Sequence, residues 1–343
     1  MEGIKVLIIT TGHHKYDGRL ARHKRSLQEA GIDASIEMID TDSRISRFLL
    51  GPFLAYKKVI DSKADCVIFP DPELHLFLSP FVKRRTGVIC DVHERYEDVI
   101  YDRKWIKPPM RLLILVILRV LSGVRNRFSH AVLVADTSLW TEGQYLVTNR
   151  PSLSTPTLSL EMPTNNRLVY VGDIRKSRGM EEMLQIVSLN PEVTLDLIGP
   201  CNDDTNLRLM IEKYGVSSRI RLHGRQPYEK AWVLAKGAIA GLCFLHPTPA
   251  FSNVIPTKIW EYWSIGVPVL ASDLPRQAEL IQNANGGVTG TVNELSTTLK
   301  DWIENPTKAE TMGKSGYRYL TEQDDESAHH LLEAVKRVVK EMK

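Results

Sequence analysis

The chain has 343 residues, more than one hydrophobic core usually organises, so two domains are expected. Its apolar and charged fractions, 43% and 25%, are those of an ordinary soluble globular protein. A net charge of +3 is too small to indicate nucleic-acid binding, and no run reaches the ~18 apolar residues of a membrane span.

Ile4–Thr10 is a continuous apolar run, typical of a strand buried on both faces. It is too short for the apolar segment of a signal peptide, so a cytoplasmic location is expected. The loop Thr11–Gly18 follows, then a helix over Arg19–Ala30 closed by Gly31. Ala34–Ile39, Cys66–Pro70, Gly87–Val92 and Ala131–Ala135 read as further strands, separated by helical stretches such as Arg47–Ile60. This strand–helix alternation implies a parallel sheet covered by helices. The four cysteines, Cys66, Cys90, Cys201 and Cys243, form no CxxC, and three lie in strand-like runs. Buried free thiols in a reducing compartment are expected.

Arg103–Arg127 contains no acidic residue, several Lys and Arg, Trp105 and the apolar run Leu112–Leu118. It suits a helix lying peripherally on an anionic membrane, and equally a core helix whose Arg side chains reach outward. After Arg150 the Ser-, Thr- and Pro-rich stretch 151–166 reads as a linker, so 1–150 forms the N-terminal domain. A second alternating series spans 167–322, with strands at Leu168–Gly172, Val193–Ile198, Ile220–His223, Gly241–Leu245 and Pro268–Ser272. The tail is helical, and the last helix, in 323–343, can pack back on the N-terminal domain. Two α/β halves place a cleft between them, and ligands of such sheets sit beyond the carboxyl ends of the strands.

Candidate sites follow strands. Pro247–Pro275 reads as a polar loop, a helix opening near Pro256 and Thr257, a stop at Gly266 and a buried strand. Proline is tolerated in a first helical turn, where free amides of Thr257 and Lys258 and the helix dipole would attract a phosphate. One turn on, Glu261 stands in an otherwise apolar run, and a carboxylate can accept from both vicinal hydroxyls of a ribose. A surface helix that carries one Glu is the plainer reading. After Leu168–Gly172, the cations Arg175, Lys176 and Arg178 precede a helix, with Gly172 and Gly179 allowing close backbone approach. This is either a diphosphate clamp or a solvated basic loop. His93, at the end of Gly87–Val92, suits a sugar hydroxyl or a satisfied core position.

Asp71-Pro72-Glu73-Leu74, Asp91-Val92-His93-Glu94, the Gly172 to Gly179 loop and Pro256-Thr257-Lys258-Ile259-Trp260-Glu261-Tyr262 occur in that order. Together they resemble glycosyltransferase family 4, the retaining nucleotide-sugar enzymes. The resemblance implies a GT-B fold, two Rossmann-like domains facing a central cleft. It also implies metal-independent transfer, hexosyltransferase-like, in cell-surface polysaccharide or glycolipid synthesis, with no cofactor beyond the nucleotide diphosphate sugar as co-substrate. By the same resemblance Gly172, Arg175, Lys176, Arg178, Pro256, Thr257, Lys258 and Glu261 bind the donor. His93, Arg178 and Asn253 stand at the reacting sugar, and Asp17, Arg19, Asp71, Glu73 and Glu94 on the acceptor side. The acceptor would be a glycan or a lipid-linked molecule at the inner membrane face. Two positions depart from the family pattern: Asn253 replaces its first Glu, eight residues before Glu261, and Asp173 replaces its Arg after the glycine. A nucleotide-sugar epimerase of the same fold, or a non-catalytic sugar- or lipid-binding member, are the alternatives. No GxGxxG follows the first strand, no zinc spacing or Ser/His/Asp order stands out, and no nucleic-acid partner is expected.

Overall fold

The computed structural model describes all residues except 1–2, 13–16, 41–43, 94–96, 98–99, 101–105, 152–165, 253 and 324–325. The chain divides into two compact units, Met1–Asn149 together with Asp325–Lys343, and Arg150–Asp324. The stretch expected as a linker, 151–166, falls almost wholly outside the described residues.

The first unit holds six parallel strands: β1 (Lys5–Thr10), β2 (Asp33–Met38), β3 (Cys66–Phe69), β4 (Gly87–Val92), β5 (Ala131–Val134) and β6 (Tyr145–Leu146). Their order across the sheet is β2-β1-β3-β4-β5-β6. The pleat sends alternate side chains to opposite faces, so a continuous apolar run serves two cores at once. Val6, Ile8 and Ile68 pack under the helix Gly18–Glu29 and the C-terminal helix Ser327–Met342. Leu7, Ile9 and Phe69 pack under Gly51–Ser62 and the short helices Pro72–Phe77 and Ser79–Val82. Gly87 lets Val338 of the C-terminal helix down onto β4, since a β-carbon there would collide with it.

The sequence predicts one helix over Arg47–Ile60, but two are found, Arg44–Leu49 and Gly51–Ser62. Pro52 lies in the first turn of the second, where its missing N–H has no partner to lose.

The second unit repeats the plan with β7 (Arg167–Val171), β8 (Thr194–Ile198), β9 (Ile220–Gly224), β10 (Ala240–Cys243), β11 (Val269–Ala271) and β12 (Gly287–Thr289). These lie parallel in the order β12-β11-β10-β7-β8-β9. Leu168, Tyr170 and Leu242 meet the helix Met180–Leu189 on one face, with Leu295 and Trp302 from Val292–Glu304. Val169, Cys243 and Val269 meet the helices Tyr228–Ala235 and Thr257–Ser264 on the other. All four cysteines are unbridged, and Cys66, Cys90 and Cys243 are buried.

Each sheet reverses its winding once. β1 leads to β2 on one side while β3 lies on the other; β7 leads to β8 on one side while β10 lies on the other. Beyond the carboxyl ends of β1 and β3, and of β7 and β10, the connections diverge and leave a crevice. Open α/β sheets bind their ligands there.

Burial also makes the first unit acid-sensitive. His75 is 3% exposed, with Nε2 2.6 Å from the Phe69 carbonyl oxygen, and burial pushes it down from 6.5 to about 4. A histidine whose folded value is depressed stabilises fully above its unfolded value, and that contribution fades as pH falls through the interval. Between pH 7 and pH 4.5 the loss should be roughly 2.5 kcal/mol. His75→Gln keeps a donor for Phe69 and does not titrate, so its urea midpoint should fall much less on acidification. Equal acid sensitivity in both proteins would show that His75 is not the group responsible.

Candidate functional site

In the second unit, near the crevice between β7 and β10, Lys258 and Arg178 have no counter-ion among the described residues. The helix Thr257–Ser264 starts there, directly after Pro256, and no side chain caps its first turn. Lys258 is only 8% exposed. Its Nζ lies 3.8 Å from the centre of the Tyr170 ring and has no hydrogen-bond partner. A lone buried ammonium costs several kcal/mol, and a cation–π contact offsets only about 2 kcal/mol of that. Gly172 ends β7 with φ +142°, and a side chain on it would abut Lys258 Nζ.

Arg178 comes from the turn Lys176–Arg178, which closes at Gly179 with φ +75°. Gly179 lies so close to Phe244, just past β10, that no side chain would fit. The half-buried Arg178 keeps its Nε shielded from solvent without an acceptor. Burial pushes the Cys243 thiol up to about 11, while the charges of Lys258 and Arg178 both act to lower it. Arg175 and Lys176, from the same turn, are exposed.

Glu261 follows one helical turn later and is 9% exposed. The hydroxyl of Tyr228, from the helix Tyr228–Ala235, donates to its Oε1 at 3.0 Å and so orients the carboxylate. Tyr262 fixes the helix to the sheet: its ring fills the space above Gly241, and its hydroxyl accepts from the Val171 amide at 3.0 Å. Burial pushes that hydroxyl well above the ordinary tyrosine range, so it stays protonated. His246 begins the loop after β10. Its amide donates to the Ser177 carbonyl at 3.1 Å, and its Nε2 lies 2.9 Å from Glu182 Oε1. This ties the loop to the turn that carries Arg178. Tyr228, His246 and Glu182 carry no motif, and nothing local in the sequence marks them. Asn253 lies outside the described residues.

In the first unit a second cluster occupies the crevice between β1 and β3. Asp71 Oδ2 accepts from the Thr10 hydroxyl at 2.5 Å and from the Thr11 and Gly12 amides at 2.8 and 3.3 Å. Glu73, 2% exposed, accepts through Oε1 from the Thr11 hydroxyl at 2.7 Å and from Arg47 Nε at 2.5 Å. Its Oε2 is buried without a partner. Asp71 and Glu73 are thus brought together at the ligand end of the sheet.

Asp17 and Arg19 are placed differently, in structural contacts. Asp17 caps the helix Gly18–Glu29, accepting from the Arg19 and Leu20 amides at 2.9 and 3.0 Å. Arg19 is 6% exposed and turned inward. It donates to both oxygens of Asp91, at 2.8 and 2.5 Å, and to the Val147 carbonyl and Asn149 at 2.8 Å. Burial alone would raise the Asp91 carboxyl, but the Arg19 charge and hydrogen bonds, with His23, hold it well below the ordinary carboxylate range. Burial and the Arg19 charge push His23 down, with Asp91 opposing. His93 is half-buried just beyond β4, and Glu94 lies outside the described residues.

Among the described residues no three His, Cys, Asp or Glu side chains are grouped as metal ligands would be. A cavity of about 550 Å³ lined by Asp301, Trp302, Thr307 and Lys308 also borders Asn285, which precedes β12. It therefore opens at the amino end of the sheet, opposite to the crevice.

Residues 159–319, which include Arg178, Lys258 and Glu261, match the family model described as Glycosyl transferases group 1. No curated protein sequence matches the chain. Among solved structures, sucrose-phosphate synthase from Thermosynechococcus elongatus is similar with a TM-score of 0.70 at 14% identity, over 96% of this chain and 97% of that one. HepE of Anabaena in complex with UDP-glucose is similar with a TM-score of 0.67 at 14% identity, over 98% and 99%. WaaG, a glycosyltransferase involved in lipopolysaccharide biosynthesis, gives 0.67 at 13% identity, over 96% and 98%. At such identities the likeness is one of fold: two Rossmann-like units in the GT-B architecture. Fold and family match together support a GT-B glycosyltransferase.

Proposed function

We propose that the protein is a retaining, metal-independent glycosyltransferase of the family 4 kind. It moves a sugar from a nucleotide diphosphate sugar to a glycan or lipid-linked acceptor in cell-surface polysaccharide or glycolipid synthesis, in the cytoplasm at the inner membrane face. The observation that carries this reading is the buried Lys258 and the half-buried Arg178, neither with a counter-ion among the described residues, beside an uncapped helix start. Such a site is complete only with an anion in it. Glu261, one turn further on, is spaced to take the ribose hydroxyls, so anion and ribose contacts together describe a nucleotide diphosphate. HepE of Anabaena, similar in fold, was solved with UDP-glucose, which fits a donor of that class.

The chemistry follows from the charges. As the bond from the anomeric carbon to the diphosphate breaks, negative charge grows on the leaving oxygens and the sugar gains oxocarbenium character. Lys258, Arg178 and the first-turn amides are already in place to stabilise that charge, with no reorganisation needed at the moment of reaction. The acceptor hydroxyl attacks from the face the diphosphate leaves and gives its proton to the departing diphosphate oxygen, so the anomeric configuration is retained.

Thermal stabilisation by a panel of nucleotide sugars should identify the donor, because a ligand that binds only the native state raises its stability. Transfer should then require an acceptor; donor isomerised without one would make the protein an epimerase, and binding without turnover a non-catalytic member. In the folded Glu261→Ala variant, nucleotide affinity should weaken by roughly 1.5–3 kcal/mol, the range for a hydrogen bond to a charged group. Unchanged affinity would remove the ribose assignment.

A further inference from the structure

The first unit turns an apolar, basic face to solvent. Six large side chains of the helix Pro108–Phe128, Met110, Leu112, Leu113, Val116, Ile117 and Val120, are 43–67% exposed. Its other side packs inward: Leu118 is buried against Ile100 and Ile106, with Ile114, Leu115 and Leu121 beside it. The helix thus has one packed side and one exposed apolar side. The helix lies on Pro72–Phe77 and Ser79–Val82, and Phe81 of the latter is 69% exposed. Gly51–Ser62 covers the same face of the sheet and presents Phe53 at 70%. A single exposed apolar residue is ordinary, whereas a run of them across neighbouring helices marks an interaction surface.

Charge decides what that surface meets. Positions 103–135 contain no Asp or Glu. Arg119 and Arg127 are exposed on the long helix, Arg84 and Arg85 follow Phe81, and Lys57 follows Phe53. Along the long helix, apolar side chains set among cations with no acid in 103–135 match the interface of an anionic bilayer, with its acyl boundary below and phosphates above. Asp61 is an exposed acid on the neighbouring helix that bears Phe53 and Lys57. Among the described residues no helix is long and apolar enough to cross a membrane, so such contact would be peripheral.

We infer that the first unit docks on anionic lipid through this face, with Leu113, Val116, Ile117 and Val120 entering the headgroup region. Taken with the glycosyltransferase reading, on which this consequence alone rests, docking would let a lipid-linked acceptor reach the enzyme by lateral diffusion. The test uses the full chain with no nucleotide or acceptor present, so its failure would leave the glycosyltransferase reading intact. In flotation, the protein should rise with vesicles containing phosphatidylglycerol, stay behind with phosphatidylcholine alone, and release as salt is raised. The pair Leu113→Gln with Ile117→Gln, and separately Arg84→Glu with Arg119→Glu, should each lower vesicle partition about tenfold or more. Their thermal midpoints should hold, since all four side chains are solvent-facing or mostly so. Failure to float, or variants that float like the wild type, would overturn the proposal. A concentration-dependent dimer abolished by the Gln pair would overturn it too, assigning the face to a second copy of the chain.

Discussion

Arg178→Ala should lower turnover about 10²–10³-fold, the loss seen when one preorganised donor to developing negative charge is removed. Affinity for a nucleoside monophosphate should change far less, because the charge Arg178 meets grows only as the diphosphate departs. The Arg178 Nε is shielded from solvent and has no hydrogen-bond partner among the described residues. Arg178→Lys should recover only part of the rate, since an ammonium supplies a point charge without the planar fork. Lys258→Met should resemble Arg178→Ala in turnover. It should also stabilise the ligand-free protein, because it removes an uncompensated buried charge and keeps the contact with Tyr170. Equal losses for substrates with and without phosphates would mean that Arg178 supports the fold of the turn Lys176–Arg178 and does not meet the diphosphate.

Asp91→Ala should destabilise the first unit by about 3–5 kcal/mol, the usual loss when one partner of a buried ion pair is removed. Arg19 would be left 6% exposed with two of its donors facing a void. Since whole domains are stable by only about 5–15 kcal/mol, the variant should unfold at much lower urea. Replacing Arg19 by Met and Asp91 by Leu together should restore much of the loss, because no charge then stays buried alone. A single Asp91→Ala protein within about 1 kcal/mol of wild type would show that water or another group already serves Arg19.

The sequence by itself determined the elements and the ends of strands where chemistry collects. All ten strands read from the sequence are present within two residues; in all but the edge strands β2 and β9, burial on both faces is written directly into consecutive positions. The two-residue β6 and three-residue β12 escaped, being too short to show a period. Pro256 marked a helix start and Glu261 a lone carboxylate one turn later, both local signals.

Tertiary structure alone decided what those residues face. Strand order places β7 beside β10 and β1 beside β3, and the second of these brings Thr11 to Glu73; neither adjacency is written in a local pattern. The same holds for Tyr228 on Glu261, 33 residues apart, and for Arg19 on Asp91, 72 apart. Arg19 shows the difference most plainly. The family resemblance puts it on the acceptor side, and the fold turns it inward, where a buried carboxylate 72 residues away takes its charge. Hydrophobic period is a property of neighbours in the chain, whereas the pairing of buried charges is set by which strands the sheet places side by side.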